Sequence, residues 1–552
     1  MLLVGLVAAS PVIVSTVRAV LARWTPVFDD GVIATRAFDV LSSHPPLVGQ
    51  FSDASVTRIG VVFSPGPMLF WLLAFQTHFL GDWALPVTMG VVNSVSIMGA
   101  IALARRLGGR VFMLVTALAL VMLSLSFGAE RLHDIYNPSA ALLTFTLLIF
   151  LAWSVARGEY RLLPLTALVA SYTAQTHLSL DLATVVLVVG ASAGLMMLQL
   201  RKSVEADAAG SARVRPWVLG SLGVTLLCWS GPLLDQAFNR PGNLVRILQT
   251  ATAGQRTQGA TWGWHALVRT VGIPPWWLKG PPMPVSFGRV LELSSAPDAL
   301  AVVSSALILG GLLAVFGVGL RRGRADLMIP GALALGLSAA VAVVAAQIPA
   351  NQQLASDRSL YFASAVGMYS WLVLGWSLSL LWRETSWAVT VRSRISALTR
   401  PPAAVPVIGL CIVTIAAAVI ATAQGSDLVK YAYRPVRGIA AQLKTLPRDR
   451  GVLVETTLSN QFSGIAFELA LVYQLRKQGY RAVIVAGSDL DRLGSRYTLP
   501  QAYGEVLLIG PGNSPPADEG RILARFTAPS RLIAPYIGPV QVSEAPAGRA
   551  RP

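Results

Sequence analysis

Residues 299–320 read ALAVVSSALILGGLLAVFGVGL, a stretch without a single charge, and Arg321, Arg322 and Arg324 follow it directly. About twenty apolar residues in helical form span the hydrocarbon core of a bilayer. This stretch is a membrane helix with basic residues at one end. Similar runs occur at 2–21, 85–104, 111–128, 138–156, 162–177, 180–200, 217–233, 327–347, 360–382 and 403–423. The composition agrees: 54% of the 552 residues are hydrophobic and 13% charged, about half the charge of a soluble domain. The chain is an all-α polytopic membrane protein of about eleven spanning helices. A soluble enzyme, a DNA-binding regulator and a disordered scaffold are excluded.

Charge placement sets the orientation. The net charge is +17, and basic loops mark the cytoplasmic side. Five connections are basic: Arg105, Arg106 and Arg110; Arg157 and Arg161; Arg201, Lys202, Arg213 and Arg215; Arg321, Arg322 and Arg324; Arg383, Arg392, Arg394 and Arg400. All five lie on one side if the short run 65–80, which opens Ser64-Pro65-Gly66-Pro67 and holds Gln76 and His78, does not cross; if it crosses, the first helix and the rest of the chain cannot both obey the rule. That run reads as a re-entrant or juxtamembrane helix. The N-terminus is then cytoplasmic and the C-terminus extracytoplasmic in a multi-pass plasma-membrane protein. Residues 1–423 form the membrane domain, with large external segments at 24–84 and 234–298. Arg18 and Arg23 run against the rule, at the outer end of the first helix. That helix has no basic leader or cleavage site and reads as a retained anchor; a missing cytoplasmic lead is left open.

Residues 424–552 change character. Gly451–Glu455, Arg481–Gly487 and Glu505–Gly510 read as strands, and Ile465–Lys477 as an amphipathic helix, a small external α/β domain with parallel strands. Residues from about Ser543 onward read as frayed. Cys228 and Cys411 lie in separate apolar segments and read as core residues.

The residues that can carry chemistry cluster outside. Asp29 and Asp30 follow the first span directly. Adjacent carboxylates at a membrane surface are unfavourable unless exposed, paired or metal-bound. They read equally as a general base with a charged neighbour, or as a helix cap beside a solvated Asp. His44 lies farther along in His44-Pro45-Pro46. Glu130-Arg131-Leu132-His133-Asp134 then precedes Asn137-Pro138 on the same face. Ser356-Asp357-Arg358-Ser359-Leu360-Tyr361 stands at the outer end of a later span, and 234–298 carries Arg269 and Lys279 among tryptophans.

This order resembles the GT-C type integral-membrane glycosyltransferases that use polyprenyl-phosphate sugars. Protein O-mannosyltransferases, the lipid A aminoarabinose transferase and mycobacterial arabinofuranosyltransferases belong to that superfamily. The shared features are the acidic pair after the first span, a juxtamembrane helix, a second acidic cluster between the third and fourth spans, and an external C-terminal domain. The resemblance implies an inverting sugar transfer to a cell-envelope acceptor on the outer face. Asp29 or Asp30 would be the base, and Asp134, with Glu130 or His133, the acceptor cluster. Arg358, Tyr361, Lys279 and Arg269 would hold the donor phosphate. A divalent cation (Mg or Mn) held by Asp29, Asp30 and Asp134 is open, since no Asp-x-Asp is present. The implied partners are a polyprenyl-phosphate sugar, the bilayer, and a glycan, glycolipid or protein acceptor, with no nucleic acid. Transfer of whole oligosaccharides or polymers from a lipid pyrophosphate shares this layout. A transporter or flippase usually places ionisable groups at mid-membrane, and these spans are nearly free of them.

Overall fold

The computed structural model describes residues 1–52, 60–204, 208–280, 288–384, 404–425, 427, 429–446, 451–456, 461–484, 505–511, 521–526 and 540–544. Among these, six helices are long and apolar enough to cross a membrane, or eight if two bent pairs each count once. One pair is Leu2–Ala8 with Ser10–Leu21, bent by 52°; the other is Arg213–Cys228 with Ser230–Phe238, also 52°. The expected runs 85–104 and 111–128 form one stretch, Ala84–Phe127, broken only where Gly109 adopts φ +76. A residue without a Cβ tolerates that angle, so the basic connection there is a sharp break rather than a loop. Met68–Phe79 has 12 residues, about 18 Å of helix, too short for a core of about 30 Å.

Leu142–Ala156 runs through the centre of the bundle, and every one of its residues is buried. Trp153, Phe150 and Tyr369 meet there edge to face, which gives the membrane-embedded core its bulk.

The C-terminal region contains a five-stranded sheet in the order β2-β1-β3-β5-β4. The strands are β1 (Gly451–Thr456), β2 (Arg481–Ile484), β3 (Glu505–Pro511), β4 (Ile522–Phe526) and β5 (Val540–Glu544). β1 pairs parallel with β2 and β3, as expected. β5 pairs antiparallel with both β3 and β4, so the sheet is mixed. Ser543 and Glu544 therefore lie in an inner strand, not in a frayed end. Val540 and Val542 are buried and hold it in place; their short alternation inside a Pro- and Gly-rich tail was too weak a signal to read.

Two hydrophobic cores result. One is built from the bundle. The other joins the helix Asp29–Asp39, the helix Met68–Phe79, Ile135 and the C-terminal region from Ala432 to Val542. The segment 24–84 and the C-terminal region thus bury their apolar faces against each other. Gly31 marks the contact: a Cβ there would lie 2.9 Å from the Leu469 carbonyl carbon. The helix Gln461–Lys477 is also tied by charge, Arg476 to Asp39 at 2.9 Å and Lys477 to Asp82 at 2.8 Å.

Candidate functional site

The helix Asp29–Asp39 starts abruptly. Phe28 has φ +52, a strained angle for a non-glycine residue that costs about 1–3 kcal/mol. The turn sets Asp29 half-buried and Asp30 buried, 8% exposed. Across from them the bundle helix ends at Phe127, Gly128 turns at φ +79, and Glu130–Leu132 form one tight helical turn. Leu132 is buried in the bundle core and Ile135 in the outer core, so the turn is pinned from both sides. The Asn93 amide holds the Leu132 carbonyl at 3.0 Å.

This turn sends its polar side chains in different directions. Glu130 acts electrostatically on Asp30, and Asp30 in turn on Asp134. Burial pushes the Asp30 carboxyl well above the usual carboxylate range, and the charges of Glu130, Asp29 and Asp427 push it further. Asp134, itself buried, is raised for the same reasons: burial first, then Asp30 and Glu130, with Arg131 working against them. One oxygen of each, Asp30 Oδ1 and Asp134 Oδ1, has no hydrogen-bond partner among the described residues. A buried carboxylate with an unused oxygen and a raised affinity for protons is suited to take a proton from a substrate.

Arg131 points the other way. Its guanidinium stacks on the Tyr361 ring, 4.2 Å from the centroid, and lies 3.4 Å from Asp357 Oδ2. The Tyr361 hydroxyl donates to the same oxygen at 3.0 Å. Arg289 approaches Asp357 Oδ1 at 3.9 Å and Glu292 at 3.5 Å, and stacks on Trp276, 3.9 Å from the centroid. Lys279 reaches Glu292 at 3.9 Å. A buried guanidinium and a half-buried one on aromatic faces, with Lys279 nearby, make a cationic cluster suited to an anionic group.

Of the residues singled out from sequence, Asp29, Asp30, Glu130 and Asp134 come together, and Tyr361 and Lys279 join the neighbouring cationic cluster. His133 belongs to the turn but faces Ser15 and Asp427. Arg358 is half-buried on the short helix Ala355–Ser359. Arg269 is spent on a structural tie: it donates to the Ser295 carbonyl at 2.8 Å and its hydroxyl at 3.2 Å. His44 is exposed and bonds Ser43 at 2.8 Å. Among the described residues no three His, Cys, Asp or Glu side chains form a group able to hold a metal ion. Arg289 and Asp427 escaped the sequence reading: each is a lone charge in a stretch without a motif.

The fold has known counterparts. Over 99% of this chain and 98% of the other, it matches ArnT from Cupriavidus metallidurans bound to undecaprenyl phosphate, at a TM-score of 0.50 and 12% identity. A looser match, TM-score 0.38 and 15% identity over 84% of this chain and 63% of that one, is the archaeal oligosaccharyltransferase AglB from Archaeoglobus fulgidus in complex with an inhibitory peptide and a dolichol-phosphate. No family model and no curated protein sequence matches the chain. The chain has the overall fold of ArnT.

Proposed function

We propose that this protein is an integral-membrane glycosyltransferase that moves a sugar from a polyprenyl-phosphate donor to a cell-envelope acceptor on the outer face of the plasma membrane. The observation that carries the proposal is the turn Glu130–Asp134, which sets the buried carboxylates of Asp30 and Asp134, each with one oxygen unpartnered among the described residues, beside Arg131, whose partner Asp357 also faces the buried Arg289. The likeness to ArnT, solved with undecaprenyl phosphate, supports the donor class. About eleven spans, a juxtamembrane Met68–Phe79 helix and an extracytoplasmic C-terminal region complete the reading.

The chemistry follows from the charges. The acceptor hydroxyl oxygen attacks the anomeric carbon, and the bond from that carbon to the phosphate oxygen breaks. Asp30, in its ionised form, takes the hydroxyl proton as the new glycosidic bond forms. The polyprenyl phosphate departs with the bonding electron pair and one more negative charge. Arg131 and Arg289 stabilise that charge, since a guanidinium keeps its own charge and offers a planar fork to phosphate oxygens. Attack opposite the leaving group inverts the anomeric configuration. Asp134 orients the acceptor and shares the proton load of Asp30.

The test is transfer from labelled polyprenyl-phosphate sugars by purified protein, beside Asp134→Asn and Arg289→Ala. Transfer by the wild type that both variants reduce supports the reading. No transfer from any monosaccharide donor by folded protein overturns it in favour of oligosaccharide transfer or transport.

A further inference from the structure

The acidic turn is held from the two ends of the chain. Ser15 Oγ lies 2.6 Å from His133 Nδ1 and donates its own proton to the Ala129 carbonyl. On the far side of the ring, His133 Nε2 faces Asp427 Oδ2 at 3.4 Å. The other oxygen of Asp427 accepts from Arg18 at 2.6 Å, and the Tyr433 hydroxyl donates to Oδ2 at 3.1 Å. The hydroxyl of Ser15 has one proton and the Ala129 carbonyl takes it, so its oxygen is the acceptor for an Nδ1–H. The imidazole thereby stands between a serine of the first helix, to which Nδ1 donates, and a carboxylate near the end of the last apolar helix, which Nε2 reaches at ion-pair distance without a hydrogen bond.

The order serine, histidine, aspartate is that of a hydrolytic triad, but the burial forbids that role. Ser15, His133 and the Asp427 carboxylate are completely buried, so no substrate approaches the hydroxyl. The arrangement holds something instead. His133 is the residue before Asp134 in the chain, and its backbone N–H and that of Asp134 both donate to the Glu130 carbonyl, each at 3.1 Å. Fixing the ring fixes the turn. Asp427 also lies between the apolar helix Ala404–Gln424 and the helix Lys430–Gln442, whose Tyr433 packs beside Trp24 in the outer core. The same carboxylate gives Arg18 a partner, which explains why a cation stands at the outer end of the first helix.

We propose that Asp427 is a positioning residue: through His133 it holds the Glu130–Asp134 turn in register with Asp30, so that seating of the C-terminal region and assembly of the acidic pair are one event. The consequence for sugar transfer rests on the reading of Asp30 as the base. Loss of the clamp displaces Asp134 and, on the same turn, Arg131, while Arg289 keeps its place beside Asp357.

Asp427→Asn keeps the size of the side chain, and Ser15→Ala loosens the clamp from the opposite side with less risk to folding. Two readouts are needed in the full-length protein: steady-state transfer, and hydrogen exchange of amides 129–136 with Met68–Phe79 as control. The expected result for Asp427→Asn is a fall in kcat of about 10–100-fold, the cost of a small misplacement of a reacting group. KM for the donor should rise by less than kcat falls, since Arg289 keeps its place; exchange in 129–136 should quicken about tenfold, and the control helix should not change. Ser15→Ala should move both readouts in the same direction by less, and Asp427→Glu should recover part of kcat. Unchanged exchange in 129–136 overturns the proposal. So does faster exchange with an unchanged kcat, which would make the clamp a packing feature. If the wild type itself transfers no sugar, the functional reading fails, and the exchange result still decides whether Asp427 holds the turn.

Discussion

Replacing Asp30 with asparagine should make the protein more stable and nearly inactive. The side chain is 8% exposed, its Oδ1 has no partner among the described residues, and Glu130, Asp29 and Asp427 all oppose its charge. A buried polar atom left unsatisfied costs about 1–3 kcal/mol, more when charged. An amide keeps the shape and removes the charge, so a gain of that order is expected at neutral pH. Unfolding entropy of about 2 cal/mol/K per residue over 552 residues is about 1 kcal/mol/K, which sets the rise in Tm at about 1–3 °C. The pH dependence fixes the cause. A carboxyl whose affinity for protons is raised in the folded state favours folding while it is protonated. That contribution is complete below the ordinary Asp value of about 3.9 and drains away as pH rises through the raised folded value. The Tm advantage of Asp30→Asn should therefore be small in acid and widen toward neutral pH. Removal of a general base should cut kcat by about 10²–10⁴-fold, while Asp29→Asn, at a half-buried position, should cost less than about tenfold. Thermal melts from pH 4 to 8 beside transfer assays measure both. A lower Tm for Asp30→Asn with transfer retained would refute the assignment of base and the electrostatic argument together.

Gly31→Val should unseat the helix Gln461–Lys477, because its Cβ meets the Leu469 carbonyl carbon at 2.9 Å; a loss of about 1–3 kcal/mol and faster proteolysis of the C-terminal region are the readouts. Arg131→Lys keeps the charge but loses the planar stack on Tyr361, so KM for the polyprenyl-phosphate donor should rise about tenfold, by the 1–2 kcal/mol such contacts carry, with Tm little changed. Transfer in EDTA tests a cation shared between the acidic cluster and the donor phosphate: a loss reversed by added Mg or Mn would place it there, and an unchanged rate would leave Asp30 to act without it.

Several of these features were legible in the chain. An uncharged run such as 299–320 has one stable fate in a bilayer, because a helix satisfies its own backbone groups, and the described helix Ala299–Arg321 matches it within a residue. Asp29, Asp30 and Asp134 drew attention because carboxylates beside long apolar runs are costly wherever they have no task. The tail yielded its parallel strands β1 to β3, whose Val and Ile runs are strong local signals, but not β4 and β5, whose pairing is decided across the sheet.

What the sequence determined by itself was therefore whatever depends on nearby residues: membrane helices and the presence of charges that the bilayer disfavours. Tertiary structure alone decided which charges meet. Arg131 and Asp357 stand 226 positions apart, and Arg18 and Asp427 stand 409 apart; no periodicity or spacing records such a pair. The reason is physical. A helix or strand is selected by contacts a few residues away, whereas the cost of a buried charge is settled by whichever partner packing brings to it. Asp427 shows the difference. In the chain it is one acidic residue in an unremarked linker. In the fold it is the carboxylate between Arg18, Tyr433 and His133, with its acidity strengthened: burial alone would raise its pKa, yet His133 and Arg18 pull it down to about 2.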